Sequence, residues 1–218
     1  MKIVAAKKLL KANDQLAEEN RARFNRSGVF VVNVVGSPGC GKTTLLEALF
    51  AKLATRLAPA VIEGDLASSI DAERIERLGI PVVQINTDGA CHLDATMVAA
   101  AADGFDYEKL DLLVIENVGN LVCPAGFDLG EHLRIVILSV SEGDDKIAKY
   151  PTIFQKSHML LITKTDLLQY SNFNVERAVA DMKHLAPGAE IFQVSALAGY
   201  GMDELADWLA AKCGVGGR

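Results

Sequence analysis

The sequence predicts an α/β domain in which a doubly wound, mostly parallel sheet is flanked by helices. From Val29 onward, segments typical of strands alternate with segments typical of helices. Several strand segments, such as 110–115 and 135–140, are almost continuously apolar, as expected for strands buried on both faces of a parallel sheet. A glycine-rich loop joins the first strand to the first helix of this pattern. We therefore expect ligands to bind at the carboxyl ends of the strands.

The predicted elements follow one another without an internal repeat or a domain linker. The strand candidates are 29–35, 60–63, 81–85, 111–116, 133–140, 158–163 and 190–194. The helix candidates are 43–56, 67–78, 92–103, 145–155, 174–185 and 202–213. An extra helix with a partial apolar face is predicted at residues 2–26, ended by Ser27-Gly28. These elements divide the chain into an N-terminal helical extension, 1–28, and one domain, 29–218.

Composition restricts the classes of function. The chain has 218 residues, of which half are hydrophobic, and a net charge of −6, which argues against nucleic acid or an anionic membrane as the main partner. No apolar run approaches the ~20 residues of a membrane span, and the N-terminal apolar stretch is too short for a secretory signal. We therefore expect a cytoplasmic protein. Its four cysteines form no C-x-x-C pair and are expected to be free thiols or metal ligands.

Residues 36–44 match the phosphate-binding loop G-x-x-x-x-G-K-[ST] at every fixed position. A buried strand precedes the loop and a helix follows it, which is the context of a P-loop NTPase and disfavours a turn that binds nothing. Lys42 is expected to reach the β- and γ-phosphates and to act in catalysis, and the Thr43 hydroxyl to hold Mg²⁺. The candidate nucleotide-binding residues of the loop are Gly36, Gly39, Cys40, Gly41, Lys42, Thr43 and Thr44.

An acidic motif, Glu63-Gly64-Asp65, follows the strand at 60–62. A carboxylate at this place can hold Mg²⁺ through a water molecule or orient the water that attacks the γ-phosphate. We assign both the metal role and a catalytic role to Asp65. The alternative is that Asp65 only caps a helix that starts near Ala67.

A second acidic motif, residues 116–120, follows the strand at 111–115. Glu116 is expected to hold Mg²⁺, and the Gly119 N–H to meet the γ-phosphate. The alternative is a Gly-Asn turn without a ligand. No glutamine follows Gly119, and the next residue is Asn120, so a GTPase built on this loop should turn over slowly.

Two motifs near the C-terminus predict that the base is guanine. The Asp166 carboxylate can accept hydrogen bonds from N1–H and the 2-amino group of guanine, which adenine does not offer in that geometry. The stem of Lys164 would lie along the base, and the backbone at Ser195 and Ala196 would meet O6. Thr163 stands where the usual guanine motif has asparagine; its hydroxyl makes fewer bonds than an amide, so nucleotide affinity is expected to be lowered.

Cys91, His92 and Cys123 form a second candidate site, which a plain GTPase does not need. Two thiolates and an imidazole suit Zn²⁺ in a tetrahedron or Ni²⁺ in a more planar arrangement, with a fourth ligand from water or a second chain. The alternative is that both cysteines are buried small hydrophobes and His92 only begins a helix. Cys123 lies seven residues after Glu116, so a shift of the γ-phosphate loop should move a metal ligand.

With these motifs in place, the chain resembles the HypB family, the nickel-incorporation GTPases of [NiFe]-hydrogenase maturation. The resemblance covers essentially the whole chain from about Val29. The matching segments are Gly36–Thr44, Glu63–Asp65, Gly89–Asp94, Glu116–Pro124, Ser141–Pro151 and Asp166–Leu168. The Cys91-His92 block and the 116–124 block are the most specific of them.

The resemblance implies a GTP-dependent homodimer of the SIMIBI class, with a metal site at the dimer interface built from Cys91, His92 and Cys123. It implies two further partners, a small zinc-containing nickel chaperone of the HypA type and the hydrogenase large subunit. The expected cofactors are GTP or GDP, Mg²⁺, and Ni²⁺ or Zn²⁺. Some members carry an N-terminal Cys-rich or His-rich nickel motif. Residues 1–35 contain neither Cys nor His, so nickel storage and a high-affinity N-terminal site are not expected here.

The predicted function is therefore hydrolysis of GTP to GDP and phosphate, coupled to delivery of Ni²⁺. One alternative is a urease-accessory-type nickel-delivery GTPase. That family is expected to carry a Cys-Pro-His motif, whereas here His follows Cys91 and Pro follows Cys123. Two others are a P-loop kinase without a metal site and a module that holds nucleotide without turnover.

Overall fold

The structure is a computed structural model that describes residues 5–66 and 68–214. Within them, seven strands form one sheet in which every neighbouring pair is parallel, in the order β3-β2-β4-β1-β5-β6-β7. The strands are β1 Phe30–Gly36, β2 Pro59–Asp65, β3 Val82–Asn86, β4 Leu112–Glu116, β5 Leu133–Ser139, β6 Met159–Thr163 and β7 Glu190–Gln193. β1 is central: the chain builds β2 to β4 on one side of it and β5 to β7 on the other. The strand order therefore reverses next to β1, where doubly wound sheets bind their ligands.

Helices cover both faces of the sheet. Successive side chains of a strand point to opposite faces, and the strands here carry apolar side chains on both, so each face packs against helices. They are α1 Ala5–Ser27, α2 Lys42–Leu53, α3 Ile70–Glu76, α4 Ala95–Ala102, α5 Lys146–Lys149, α6 Pro151–Gln155, α7 Val175–Leu185 and α8 Met202–Lys212. On one face, Val32 and Val34 of β1 share a core with α2, α3 and α8. On the other face, Val31 lies in a core with α1 and α4, and Val35 in a core with α6 and α7.

The predicted fold class is confirmed, including the N-terminal helix, and all seven strand candidates lie in the sheet. Two helix predictions were wrong in detail. The helix predicted at 145–155 is two short helices, because Pro151 has no N–H to donate and disfavours helical backbone at Tyr150, whose φ is −126°. The helix predicted from His92 begins at Ala95, after Asp94, whose Oδ1 accepts a hydrogen bond from the N–H of Met97 (2.8 Å).

Three predictions fall partly outside the described residues: the N-terminal helix at residues 2–4, the helix 67–78 at its first residue, and the domain 29–218 beyond residue 214. α1 packs against the body of the fold, and its Phe24 and Ala17 are buried. The division of the chain at residue 28 remains a proposal. Among the described helices, none has the combination of length and hydrophobicity that a membrane span needs.

Candidate functional site

The phosphate-binding loop leaves the carboxyl end of β1 and enters α2 at Lys42. Gly39 and Gly41 have φ angles of +73° and +96°, a backbone conformation that glycine adopts without strain. Gly36 has no room for a side chain, since a Cβ there would lie 2.6 Å from the Cys40 sulfur and 3.2 Å from the Ile137 carbonyl. Cys40 is buried under the loop, and burial raises the pKa of its thiol to about 11, so it acts as neutral packing.

Two buried glutamates face the loop from neighbouring strands. Glu63 of β2 and Glu116 of β4 are paired in register, and each is 2% exposed. The Thr43 hydroxyl donates to Glu116 Oε1 (2.8 Å), while Oε2 of both glutamates has no partner among the described residues. Burial raises the pKa of Glu63 to about 8, and the negative charges of Glu116 and Asp65 add smaller increases. Burial also raises the pKa of Glu116, to about 7, although the positive charge of Lys42 lowers it.

These unpaired oxygens are what a hard cation would satisfy. A hydroxyl and carboxylates are the ligands Mg²⁺ prefers, so Thr43, Glu116 and the neighbouring carboxylates fit it. The sequence analysis named Glu63 in the acidic motif but gave it no role at the metal. The available signal was the two-residue period of β2, which places Glu63 and Asp65 on the same face of the strand.

Asp65 lies at the last position of β2. Its Oδ2 accepts a hydrogen bond from the Ser68 N–H (2.9 Å), and its carbonyl accepts from the Thr87 N–H (3.0 Å). The hydrogen bond from Ser68 resembles the alternative in which Asp65 only caps the next helix, although α3 begins only at Ile70. Asp65 therefore adjoins the glutamate pair and also ties down the start of the following loop.

The loop after β4 rests on the phosphate-binding loop. A Cβ at Gly119 would lie 2.9 Å from the Pro38 Cα and N, so only glycine permits this approach. The Asn120 N–H donates to the Gly36 carbonyl (2.8 Å), and its side-chain Nδ2 donates to the Cys91 carbonyl (3.2 Å). One asparagine thus joins the phosphate-binding loop to the segment that carries Cys91.

A buried polar chain runs beneath the same loop. Asn117 accepts a hydrogen bond from the Leu93 N–H (3.2 Å) and donates to Asn33 Oδ1 (3.3 Å). Asn33 in turn donates to Glu131 Oε1 (3.1 Å), and Glu131 is ion-paired with Arg134 (2.6 Å). The charge of Arg134 holds the pKa of Glu131 below its usual range despite burial. This series of hydrogen bonds could not be predicted from the sequence, because its residues are far apart in sequence and match no motif.

The predicted base-binding residues surround a cavity of about 240 Å³ beside the phosphate-binding loop. Its lining includes Gly41, Thr44, Lys164, Asp166, Ser195 and Ala196. The Ser195 hydroxyl donates to Asp166 Oδ1 (2.5 Å), while the Ser195 N–H donates to the Tyr200 carbonyl (2.9 Å). Ser195 therefore orients the carboxylate, and its own N–H is already engaged within the protein.

Thr163 and Lys164 both bind the phosphate-binding loop. The buried Thr163 hydroxyl donates to the Cys40 carbonyl (2.9 Å), and Lys164 Nζ donates to the Gly39 carbonyl (2.7 Å). Lys164 has a φ of +58°, which turns the chain sharply after β6. The threonine thus links the base-binding segment to the phosphate-binding loop with a single hydrogen bond.

Cys91, His92 and Cys123 lie together, with potential ligand atoms all within 4.8 Å of one another. The two sulfurs are 2.9 Å apart, and Cys91 Sγ is 3.9 Å from His92 Nδ1. The hydrogen bond from Cys91, together with burial, raises the pKa of the Cys123 thiol, and burial lowers that of His92, which favours the neutral imidazole that binds metals. The His92 ring packs on Phe127 with ring centroids 4.0 Å apart.

Comparison with known proteins identifies the family. The family model described as "CobW/HypB/UreG, nucleotide-binding domain" matches residues 30–193. The hydrogenase maturation factor HypB of Escherichia coli K12 is 48% identical over 204 residues, covering 94% of this chain and 70% of that protein. The chain belongs to the CobW/HypB/UreG family, in its HypB branch.

Two solved HypB structures share the fold over almost the whole chain. HypB from Helicobacter pylori, solved in complex with nickel, has a TM-score of 0.88 at 41% identity and covers 93% of this chain and 95% of its own. HypB from Archaeoglobus fulgidus has a TM-score of 0.87 at 39% identity, covering 93% and 99%. These matches and the Cys/His cluster favour the HypB branch over the urease-accessory alternative and over a kinase without a metal site.

Proposed function

We propose that this HypB-family chain binds and hydrolyses GTP and uses the nucleotide state to hold or release Ni²⁺ during [NiFe]-hydrogenase maturation. The observation that carries the proposal is Asn120, whose backbone bonds the phosphate-binding loop at Gly36 and whose side chain bonds Cys91. Two relatives support the hydrogenase and the metal: the Escherichia coli relative is a hydrogenase maturation factor, and the Helicobacter pylori relative was solved in complex with nickel.

In this proposal the nucleotide lies across the carboxyl ends of β1, β4 and β6. Thr43, Asp65 and Glu116 hold Mg²⁺, which would neutralise phosphate charge, and Glu63 supports them. Asp166 reads guanine, and the Ala196 N–H donates to O6. The residues proposed to contact the nucleotide are Gly36, Gly39, Cys40, Gly41, Lys42, Thr43, Thr44, Gly119, Lys164, Asp166, Ser195 and Ala196.

Hydrolysis in this site is proposed to be slow. Lys42 and the loop N–H groups would stabilise the charge that develops on the γ-phosphate. Asn120 is already engaged on both sides of its amide, since its Oδ1 accepts from the Val122 N–H (2.8 Å) while Nδ2 bonds Cys91. Its side chain is therefore not available to orient the attacking water, a task we assign to Asp65.

Cys91, His92 and Cys123 are proposed to bind Ni²⁺ as cargo, and Zn²⁺ fits the same ligands. Three ligands leave a tetrahedral or planar site open, so water or a second copy of the chain would complete it. This favours a GTP-dependent homodimer. The nickel chaperone of the HypA type, the hydrogenase large subunit and a cytoplasmic location follow from the family resemblance.

The test is nickel binding in the presence of GDP or of a non-hydrolysable GTP analogue. We expect the two affinities to differ by roughly 5- to 150-fold in the native protein. Asn120→Ala should bring that ratio towards one with GDP affinity unchanged, and Cys123→Ser should abolish tight nickel binding. Asn172→Ala, at an exposed asparagine, is the matched control.

Equal nickel binding in both nucleotide states would contradict the coupling. Phosphate release from GTP tests turnover, and its absence would leave a nucleotide-binding module. If ATP displaced bound GDP as well as GTP does, the guanine assignment would be wrong and the kinase alternative would return.

A further inference from the structure

The N-terminal helix α1 reaches both segments that carry the metal ligands. We define ligand arm 1 as residues 91–95, with Cys91 and His92, and ligand arm 2 as residues 123–130, with Cys123. Two asparagines on α1, Asn13 and Asn20, are only 7% and 4% exposed and point at these arms. Neither arm includes any residue of the phosphate-binding loop.

Each asparagine bridges the two arms. Asn13 accepts a hydrogen bond from the Ala95 N–H (2.9 Å) and donates to the Asp128 carbonyl (2.8 Å). Asn20 donates to the Ala95 carbonyl (2.9 Å) and to the Leu129 carbonyl (3.1 Å). The backbone groups of Ala95, three residues after His92, are thus tied to ligand arm 2 through side chains of α1.

Ligand arm 2 is shaped to receive α1 closely. Gly130 has a φ of +90°, and a Cβ there would lie 2.7 Å from the Ala17 carbonyl and 2.9 Å from the Arg21 N. Arg21 also pairs with Asp128 (2.5 Å). Further along the same arm, Phe127 packs on the His92 ring, so the position of ligand arm 2 relative to α1 also determines how the imidazole is supported.

Docking of α1 does not by itself require these amides. Phe24 and Ala17 already bury apolar surface against the fold, and the Arg23–Asp103 ion pair (2.7 Å) adds an anchor away from the ligand arms. Burying two amides brings no net gain unless their hydrogen bonds are made, and here they are made to both arms at once. The arrangement specifies a separation between the arms rather than mere attachment of a helix.

We propose that α1 braces the metal site, with Asn13 and Asn20 as positioning residues that preform the Cys91–His92–Cys123 arrangement. This rests on the proposed nickel function and adds two residues that no metal-binding motif contains. Residues that orient metal ligands from outside the first coordination sphere typically contribute 10- to 100-fold in affinity. We expect a loss in that range when the brace is removed.

The experiment compares Asn20→Ala and Asn13→Ala with Arg23→Ala, which removes an α1 contact outside the ligand arms. Nickel affinity is measured in the full chain with bound GDP, together with the thiolate-to-nickel charge-transfer absorption. Binding of a fluorescent GDP analogue and far-UV circular dichroism report whether the fold and the nucleotide site are intact. A second probe needs no nickel: phenylarsine oxide, which binds two thiols that lie close together, as Cys91 and Cys123 do.

We expect each asparagine variant to bind nickel about 10-fold or more weakly with altered charge-transfer bands, while GDP binding and Arg23→Ala stay as in the native protein. Phenylarsine oxide binding should weaken in parallel. Native-like nickel affinity, spectra and arsenical binding in both asparagine variants would overturn the brace. If the native protein bound no nickel, the proposed function would fail, and the arsenical would still decide whether α1 sets the separation of the thiols.

Discussion

Replacing Thr163 by valine should weaken both the fold and the nucleotide site. The change keeps the size of the side chain and removes the hydroxyl that donates to the Cys40 carbonyl, leaving a buried acceptor without a partner. Such an orphaned group costs about 1–3 kcal/mol. We expect the urea midpoint of the nucleotide-free protein to fall accordingly. GDP affinity should fall as well, by up to tenfold for each ~1.4 kcal/mol that appears in binding.

Two variants complete this series. Thr165→Val removes a hydroxyl two residues later that makes no hydrogen bond among the described residues, and it should change neither midpoint nor affinity. Thr163→Asn restores the usual guanine motif and a donor to Cys40, and it should bind GDP at least as tightly as the native protein. If Thr163→Val matched the native protein in urea and in GDP titration, the Thr163–Cys40 bond would contribute nothing and our account of this position would be wrong.

Four further predictions concern the base, α1, the buried carboxylates and the thiols. Asp166→Asn should lower GDP affinity at least ~100-fold and favour xanthosine diphosphate, whose C2 carbonyl accepts from the amide; unchanged GDP binding in competition titrations would refute the base assignment. Gly130→Ala should destabilise the chain in urea by about 1 kcal/mol more than Gly199→Ala. Both glycines have positive φ, but only Gly130 contacts α1. Equal losses of stability would show that the close approach is not needed. The pKa of Glu63 is raised from 4.5 to about 8, so without Mg²⁺ the stability that protonated Glu63 contributes is lost as pH rises through this window. The free energy of unfolding, measured in urea titrations, should fall by up to ~3 kcal/mol between pH 4.5 and 7, and Glu63→Gln should remove this fall. Parallel pH curves for the two proteins would refute the prediction. The pKa of the Cys123 thiol is raised, so nickel must displace a proton when it binds. Nickel affinity, measured by spectroscopic titration, should therefore rise with pH until the thiol ionises. An affinity that did not change with pH would exclude thiolate ligation.

The strands could be predicted because each is a short apolar run whose burial on two faces leaves a local signature. Val31 and Val32 point to opposite faces and are both buried. The ends of helices were harder, because they depend on single residues such as Asp94 and Pro151 that end or begin a turn whatever the surrounding periodicity favours.

The candidate site likewise contains some residues that could be predicted from the sequence and others that could not. Motif residues such as Lys42 and Asp166 could be proposed from the sequence because each belongs to a motif of neighbouring residues. The donor to the Cys40 carbonyl, Thr163, lies 123 residues away, and Asn20 lies 109 residues from its acceptor at Leu129. Contacts of this kind leave no periodicity or spacing in the sequence, so only the fold reveals that Thr163 contacts the phosphate-binding loop and that Asn20 contacts ligand arm 2.

The contacts around the metal site explain how a change at the nucleotide could become a change in metal affinity. Asn120 ties Cys91 to the phosphate-binding loop, and Cys123 lies three residues beyond it. α1 holds the far ends of both ligand arms through Ala95 and Leu129. If those ends stay fixed, a shift of the loop at Asn120 cannot carry the site along as a rigid body. In the proposed mechanism such a shift changes the separation of the two sulfurs, and with it the affinity for nickel.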